Sequence, residues 1–151
     1  MPWSAQLVFA FVQSDGSLDA AVGDGGVERL DVTGLGTVGG VAGGPSNGTY
    51  AIIDRSMGYM MPNEWGVLRV DAAGKADPKF AAGALSIVTL CLTRDVYTER
   101  MSIAPLPDGG ALVGRIVEGV SGAPAPAFVM ARFKADGALD ARALKGGIAD
   151  A

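Results

Sequence analysis

One six-residue phrase constrains this chain more than anything else in it. Ser14-Asp15-Gly16-Ser17-Leu18-Asp19 returns as Ala135-Asp136-Gly137-Ala138-Leu139-Asp140, and a divergent copy, Ala72-Ala73-Gly74-Lys75-Ala76-Asp77, stands between them. Gly16, Gly74 and Gly137 align, as do Asp19, Asp77 and Asp140, so the phrase recurs after 58 and then 63 residues. Each copy follows an apolar run and precedes a further glycine, at Gly23, Gly83 and Gly146. Self-similarity at a period of about 60 residues restricts the fold to a tandem architecture.

The segments between the copies are short, apolar and closed by turn residues. Residues 7–12 (Leu-Val-Phe-Ala-Phe-Val) form an apolar, partly β-branched run that reads as a strand. Residues 27–32, 37–42, 49–53 and 65–70 read as four more, and residues 85–92, 101–104, 111–117 and 128–133 repeat the series. Asn47-Gly48 marks a hairpin in the first series, and Pro107-Asp108-Gly109 marks the matching one in the second. No amphipathic helix with period and caps is present, and residues 142–151 allow a short terminal turn at most.

The expectation is an all-β chain of β-propeller-like antiparallel blades: two four-stranded repeat units, approximately 14–72 and 73–135, plus one N-terminal strand. A closed β-sandwich or barrel is the alternative. With 151 residues the chain reads as a single domain, long enough to bury roughly two-thirds of its unfolded surface. The 23 glycines are spaced as punctuation, which many tight turns require because glycine reaches φ > 0 without steric cost.

These residues resemble the delta-60 repeat, a family of bacterial β-propeller-like tandem repeats. The resemblance rests on Ala131-Arg132-Phe133, Asp136-Gly137-Ala138-Leu139-Asp140 and Pro107-Asp108-Gly109. It is supported by Leu68-Arg69-Val70, Gly74, Asp77 and Phe80, and by Asp15-Gly16-Ser17-Leu18-Asp19 with Gly23. Phe11 stands where the later copies have Arg69 and Arg132, Ala73 replaces the aspartate, and Val22 and Ala143 replace an aromatic. The resemblance implies blades stacked in an array.

Composition removes several chemistries. The chain has no histidine, and so lacks the commonest neutral-pH base and metal ligand. Its single cysteine, Cys91, lies in an apolar run and reads as a buried hydrophobe. The formal charge of −4, without a Lys/Arg cluster, argues against nucleic acid as a partner. The N-terminus lacks the basic start of a signal peptide, and no apolar run approaches the ~20 residues of a membrane-crossing helix. Neither a cofactor nor membrane insertion is expected, and the cytoplasm is the default location.

Asp15, Asp19 and Asp24 crowd one loop, but without the alternating acids of a calcium loop. Turn chemistry is the expectation instead, with Asp15 and Asp136 accepting from their own turns and Asp19 and Asp140 tying the next loop. Gly34-Leu35-Gly36-Thr37-Val38-Gly39 fits a phosphate-loop spacing, but without the strand-to-helix setting that spacing needs.

Met57, Tyr59, Met60, Met61 and Trp65 fall in and beside one connection, and suit either the cover of a core edge or a partner surface. The functional expectation is a non-catalytic structural or binding module that acts by protein–protein assembly, with self-association into a homo-oligomer. A lectin-like carbohydrate- or ligand-binding oligomer is the alternative.

Overall fold

The computed structural model describes residues 4–33, 36–54, 63–90, 101–117, 127–140 and 148–150. These residues contain ten strands: β1 (Ser4–Ala10), β2 (Val27–Thr33), β3 (Thr37–Gly43), β4 (Thr49–Asp54), β5 (Asn63–Val70), β6 (Ser86–Leu90), β7 (Met101–Pro105), β8 (Ala111–Val117), β9 (Ala127–Phe133) and β10 (Ile148–Asp150). Two single turns of 3-10 helix, Pro45–Asn47 and Ala81–Gly83, are the only helical segments described. The chain is all-β.

The strands form three antiparallel sheets: β1-β2, β3-β4-β5-β6 and β10-β9-β8-β7. Among the described residues none closes on itself, so the barrel form of the closed alternative is not seen. The N-terminal strand counted outside the two units has a partner: β1 pairs with β2 from Ser4↔Thr33 to Ala10↔Val27. Sheet boundaries are offset from the sequence units, because each four-stranded sheet starts after an Asp-Gly phrase and carries the next phrase between its third and fourth strands. Ile148–Asp150, where only a terminal turn was expected, is the fourth strand of the last sheet and pairs with β9.

The middle sheet is the central layer. Successive side chains on a strand point to opposite faces, and β4 uses both. Tyr50 and Ile52 enter one core with Trp65, Val67 and Val88 of their own sheet, Phe80 of the β5-β6 connection, and Met101, Ala111, Val113, Val129, Ala131 and Phe133 of the last sheet. Ala51 and Ile53 enter a second core with Leu68, Val70 and Leu7 of β1, against which Phe9 and Leu30 pack. That is why residues 50–53 are a continuous apolar run rather than an alternating one. Each large side chain so buried stabilises the fold by roughly 1.5–3 kcal/mol.

β3 is the glycine-rich strand, and it lies against β7 of the next sheet. A Cβ on Gly39 would sit 2.7 Å from Met101 Sδ, so this approach needs a residue without a side chain. β3 also carries a bulge between Val38 and Gly40 in its pairing with β4.

Candidate assembly interface

The repeated phrase folds identically in its three copies. Gln13 N–H donates to Ser17 O (2.8 Å), Gly16 N–H to Gln13 O (3.0 Å) and Asp19 N–H to Phe11 O (2.8 Å). The same three bonds recur as Asp71→Lys75, Gly74→Asp71 and Asp77→Arg69, and again as Lys134→Ala138, Gly137→Lys134 and Asp140→Arg132. This is a type I turn closed by a left-handed residue, which explains the glycine at φ +86, +81 and +83 for Gly16, Gly74 and Gly137. One isolated bridge closes each copy: Val12↔Leu18, Val70↔Ala76 and Phe133↔Leu139.

The turn between β7 and β8 is a fourth instance, with Leu106 N–H donating to Gly110 O, Gly109 N–H to Leu106 O and Gly109 at φ +85. The Asn47-Gly48 hairpin expected to match it is a different turn. There the left-handed residues are Ser46 and Asn47, while Gly48 has φ −74.

The aspartates serve the turns, as their placement suggested. Asp15 Oδ1 accepts from Ser17 N–H and Oγ, and Asp136 Oδ1 accepts from Ala138 N–H. Those bonds hold the Asp15 carboxyl below the usual range. Where Ala73 replaces the aspartate, Asp71 supplies the acceptor, taking Ala73 N–H (2.9 Å) and Lys75 N–H (3.0 Å) from the start of the turn. Asp19 and Asp77 tie the following loop through Ala21 N–H and Lys79 N–H.

The turns are also where one unit meets the next. At the first junction, a Cβ on Gly74 would lie 3.0 Å from Phe11 and 3.1 Å from Val22, and Lys75 Nζ reaches Glu28 at 3.2 Å. At the second, a Cβ on Gly137 would lie 2.7 Å from Ala81 N. Ala81 N–H donates to Asp136 O (2.8 Å), and Ser86 Oγ donates to Gly137 O. Ala81 and Ala82 hold left-handed conformations (φ 48 and 54) to bring that N–H to the turn.

Arg69 completes the second junction. Its Nε and Nη2 take Asp77 Oδ2 at 2.8 and 2.7 Å, and its Nη1 donates to Gly109 O (2.7 Å) and to the Tyr50 hydroxyl (3.2 Å). Tyr50 Oη donates to the same carbonyl at 2.6 Å, and the guanidinium lies 5.3 Å from the centre of the Phe80 ring. Burial alone would lower the Arg69 pKa, and Tyr50 and Asp77 outweigh it in the upward direction. Burial works to raise Asp77, and the Lys79 amide and Arg69 outweigh it to hold the carboxyl below its usual range. One arginine thus joins the third strand of one sheet to the first turn of the next.

Among the described residues, nothing lies within 4 Å of where a Cβ on Gly16, the first copy's glycine, would stand. Arg132, which matches Arg69, pairs with Asp140, as Arg69 does with Asp77, and also with Asp108 at 3.0 Å. Its Nε lies 3.5 Å from Asp140 Oδ2 and makes no hydrogen bond.

Of the five residues expected to meet a partner, Met57, Tyr59, Met60 and Met61 lie outside the described residues, as does Cys91. Trp65 is fully buried in the shared core, with the Arg115 guanidinium 5.7 Å from its ring centre, so it covers the core rather than a partner. Arg115 is the site residue that no motif announced. It is buried, pairs with Asp54 at 3.3 Å, and has its pKa lowered by burial against the pull of Asp54. Only its place in the alternation of β8, in register with Ala111 and Val113, signals that it points inward.

No family model, curated protein or solved structure matches this chain.

Proposed function

We propose that this chain is a non-catalytic assembly module of β-propeller-like blades, a divergent member of the delta-60 repeat type, that works by docking repeat units on one another and on further copies of itself. One observation carries the proposal. Gly74 and Gly137 lie beneath the preceding unit, whereas Gly16, in the same turn with the same bonds, is bare. A contact made twice among the described residues supports reading the third turn as a socket for a further unit, in a heterologous arrangement that closes into a ring if its rotation permits. Arg132 at the other end supports the same reading, since its counterpart Arg69 spends Nη1 on the next unit's carbonyl.

Light scattering tests this. The proposal expects a mass at a small multiple of 15.3 kDa at micromolar concentration, with three or four copies giving six or eight complete sheets. A species that stays at 15.3 kDa throughout the micromolar range overturns it.

A further inference from the structure

The connection between β3 and β4 presents a chemically reactive pair in an exposed turn. Gly43↔Thr49 and Pro105↔Ala111 each enclose a connection of equal length, residues 44–48 and 106–110, so Asn47 stands where the sister turn has Gly109. Gly109 takes φ +85 there, and Asn47 takes φ 58 with a side chain attached. Asparagine is among the few residues that accept the left-handed region, which accounts for its presence at a position that also suits glycine. Its successor, Gly48, is extended at φ −74 and ψ 152. The result is an Asn-Gly pair in which Asn47 is exposed and no β-carbon on Gly48 hinders the approach of its amide nitrogen.

Two main-chain bonds close this turn: Gly44 N–H donates to Gly48 O at 2.7 Å, and Gly48 N–H to Pro45 O at 3.2 Å. The second is the longer, and it is the one the Gly48 nitrogen must release in order to react. The turn also rests on the junction between the middle and last sheets. A Cβ on Gly44 would run into the Tyr50 ring and lie 3.3 Å from Pro105 of β7. The hydroxyl of that same Tyr50 donates to Gly109 O of the sister turn at 2.6 Å.

We infer that Asn47 is a self-modification site, converted in the folded chain through a succinimide to aspartate and isoaspartate, and that isoaspartate loosens the junction beneath the turn. The Gly48 nitrogen attacks Asn47 Cγ, the Cγ–Nδ2 bond breaks, and the amide proton leaves with the departing ammonia. Water, the only co-reactant, then opens the imide ring. Cleavage of the bond from Gly48 N to Cγ gives aspartate on an unchanged main chain. Cleavage at the main-chain carbonyl gives isoaspartate, whose main chain runs through Cβ and Cγ and is one methylene longer. Aspartate tolerates the left-handed region as asparagine does, so it leaves the turn in place. The added methylene displaces Gly48 O from Gly44 N–H and shifts the loop that packs on Tyr50.

The full chain is aged in warm, mildly alkaline buffer, with a synthetic peptide of residues 42–52 aged beside it. Peptide mass mapping with isoaspartyl methyltransferase labelling should find conversion at Asn47, slower than in the free peptide. Asn63, the chain's other asparagine, lies in β5 before Glu64 and should stay intact. Asn47→Gly gives the turn the residue its sister has, and should abolish the conversion while keeping the fold. Gly48→Ala suits the extended backbone there and should slow the conversion roughly tenfold, the factor that about 1.4 kcal/mol of added barrier produces. The isoaspartate form, separated by chromatography, should melt several degrees below the parent and exchange its Gly44 amide faster. Asn47→Asp should match the parent in both. An Asn47 that stays intact in the folded chain while the free peptide converts fully overturns the inference. So does conversion at Asn63 as fast as at Asn47, or an isoaspartate form that matches the parent in melting and in Gly44 exchange. None of these readouts is a mass of the assembly, so they fail independently of the assembly reading.

Discussion

Replacing Gly16 and Gly137 by alanine, one at a time, isolates the junction from the turn. Both glycines close the same turn, at φ +86 and +83, so both alanine variants carry the same backbone strain of about 1–2 kcal/mol. The surroundings differ. At Gly16 the new methyl group points into open space, whereas at Gly137 it would meet the backbone nitrogen of Ala81 at 2.7 Å. Backbone cannot turn aside as a side chain can, and overpacking of this kind costs about 1–3 kcal/mol more. If Ala81 retreats, its bond to Asp136 O lengthens from 2.8 Å, at a cost of about 1 kcal/mol. The expected losses are therefore about 1–2 kcal/mol for Gly16→Ala and about 2–5 kcal/mol for Gly137→Ala. At roughly 2–4 °C per kcal/mol for a chain of this size, thermal unfolding at a dilution that keeps the protein monomeric separates the two. Equal shifts would mean that the turn of one unit does not bear on the loop before it.

Other perturbations probe single parts. Arg69→Leu removes the charged partner of Asp77 and leaves Gly109 O to the Tyr50 hydroxyl alone, and should cost about 3 kcal/mol in urea unfolding. Arg132→Leu, at the half-exposed and less fully bonded counterpart, should cost under ~1 kcal/mol. Because the folded Asp77 carboxyl titrates below its unfolded value, its contribution is present above about pH 4 and is lost as pH falls through the lowered folded value. Asp77→Asn should therefore flatten the acid side of the stability–pH profile and leave the neutral side parallel to the parent. Ala82→Gly relieves an exposed left-handed alanine and should raise stability by about 1 kcal/mol in the same assay. Trp65→Ala empties the shared core and should cost about 3–5 kcal/mol, far more than removal of a surface anchor would.

The turns were the most legible part of the fold. An Asp-Gly pair followed by Leu-Asp after an apolar strand demands a left-handed closure with a side-chain acceptor, and Gly16 and Gly137 supply it. The middle copy was legible as worn but not as repaired, because Asp71 acts from two residues before the missing aspartate. Strand pairing was less accessible. Periodicity marks a strand but not its neighbour, so no local pattern shows that the loop at residues 11–26 folds β1 back onto β2. The Met- and Trp-bearing connection drew attention by composition alone, and Trp65 proved to be core because β5 alternates inward at residues 65 and 67. The Arg69–Gly109 contact, 40 residues apart in sequence, and the Arg115–Asp54 pair, further apart still, depend on sheets stacking, which no local pattern encodes.

The central claim is that the bare turn of the first unit is a socket for another molecule. Hydrogen exchange at the amides of residues 13–17, followed as the protein is concentrated, tests it most directly. Exchange there should slow with concentration while the covered turn at residues 134–138 stays constant. A rate at residues 13–17 that does not change from dilute to concentrated solution would contradict the account.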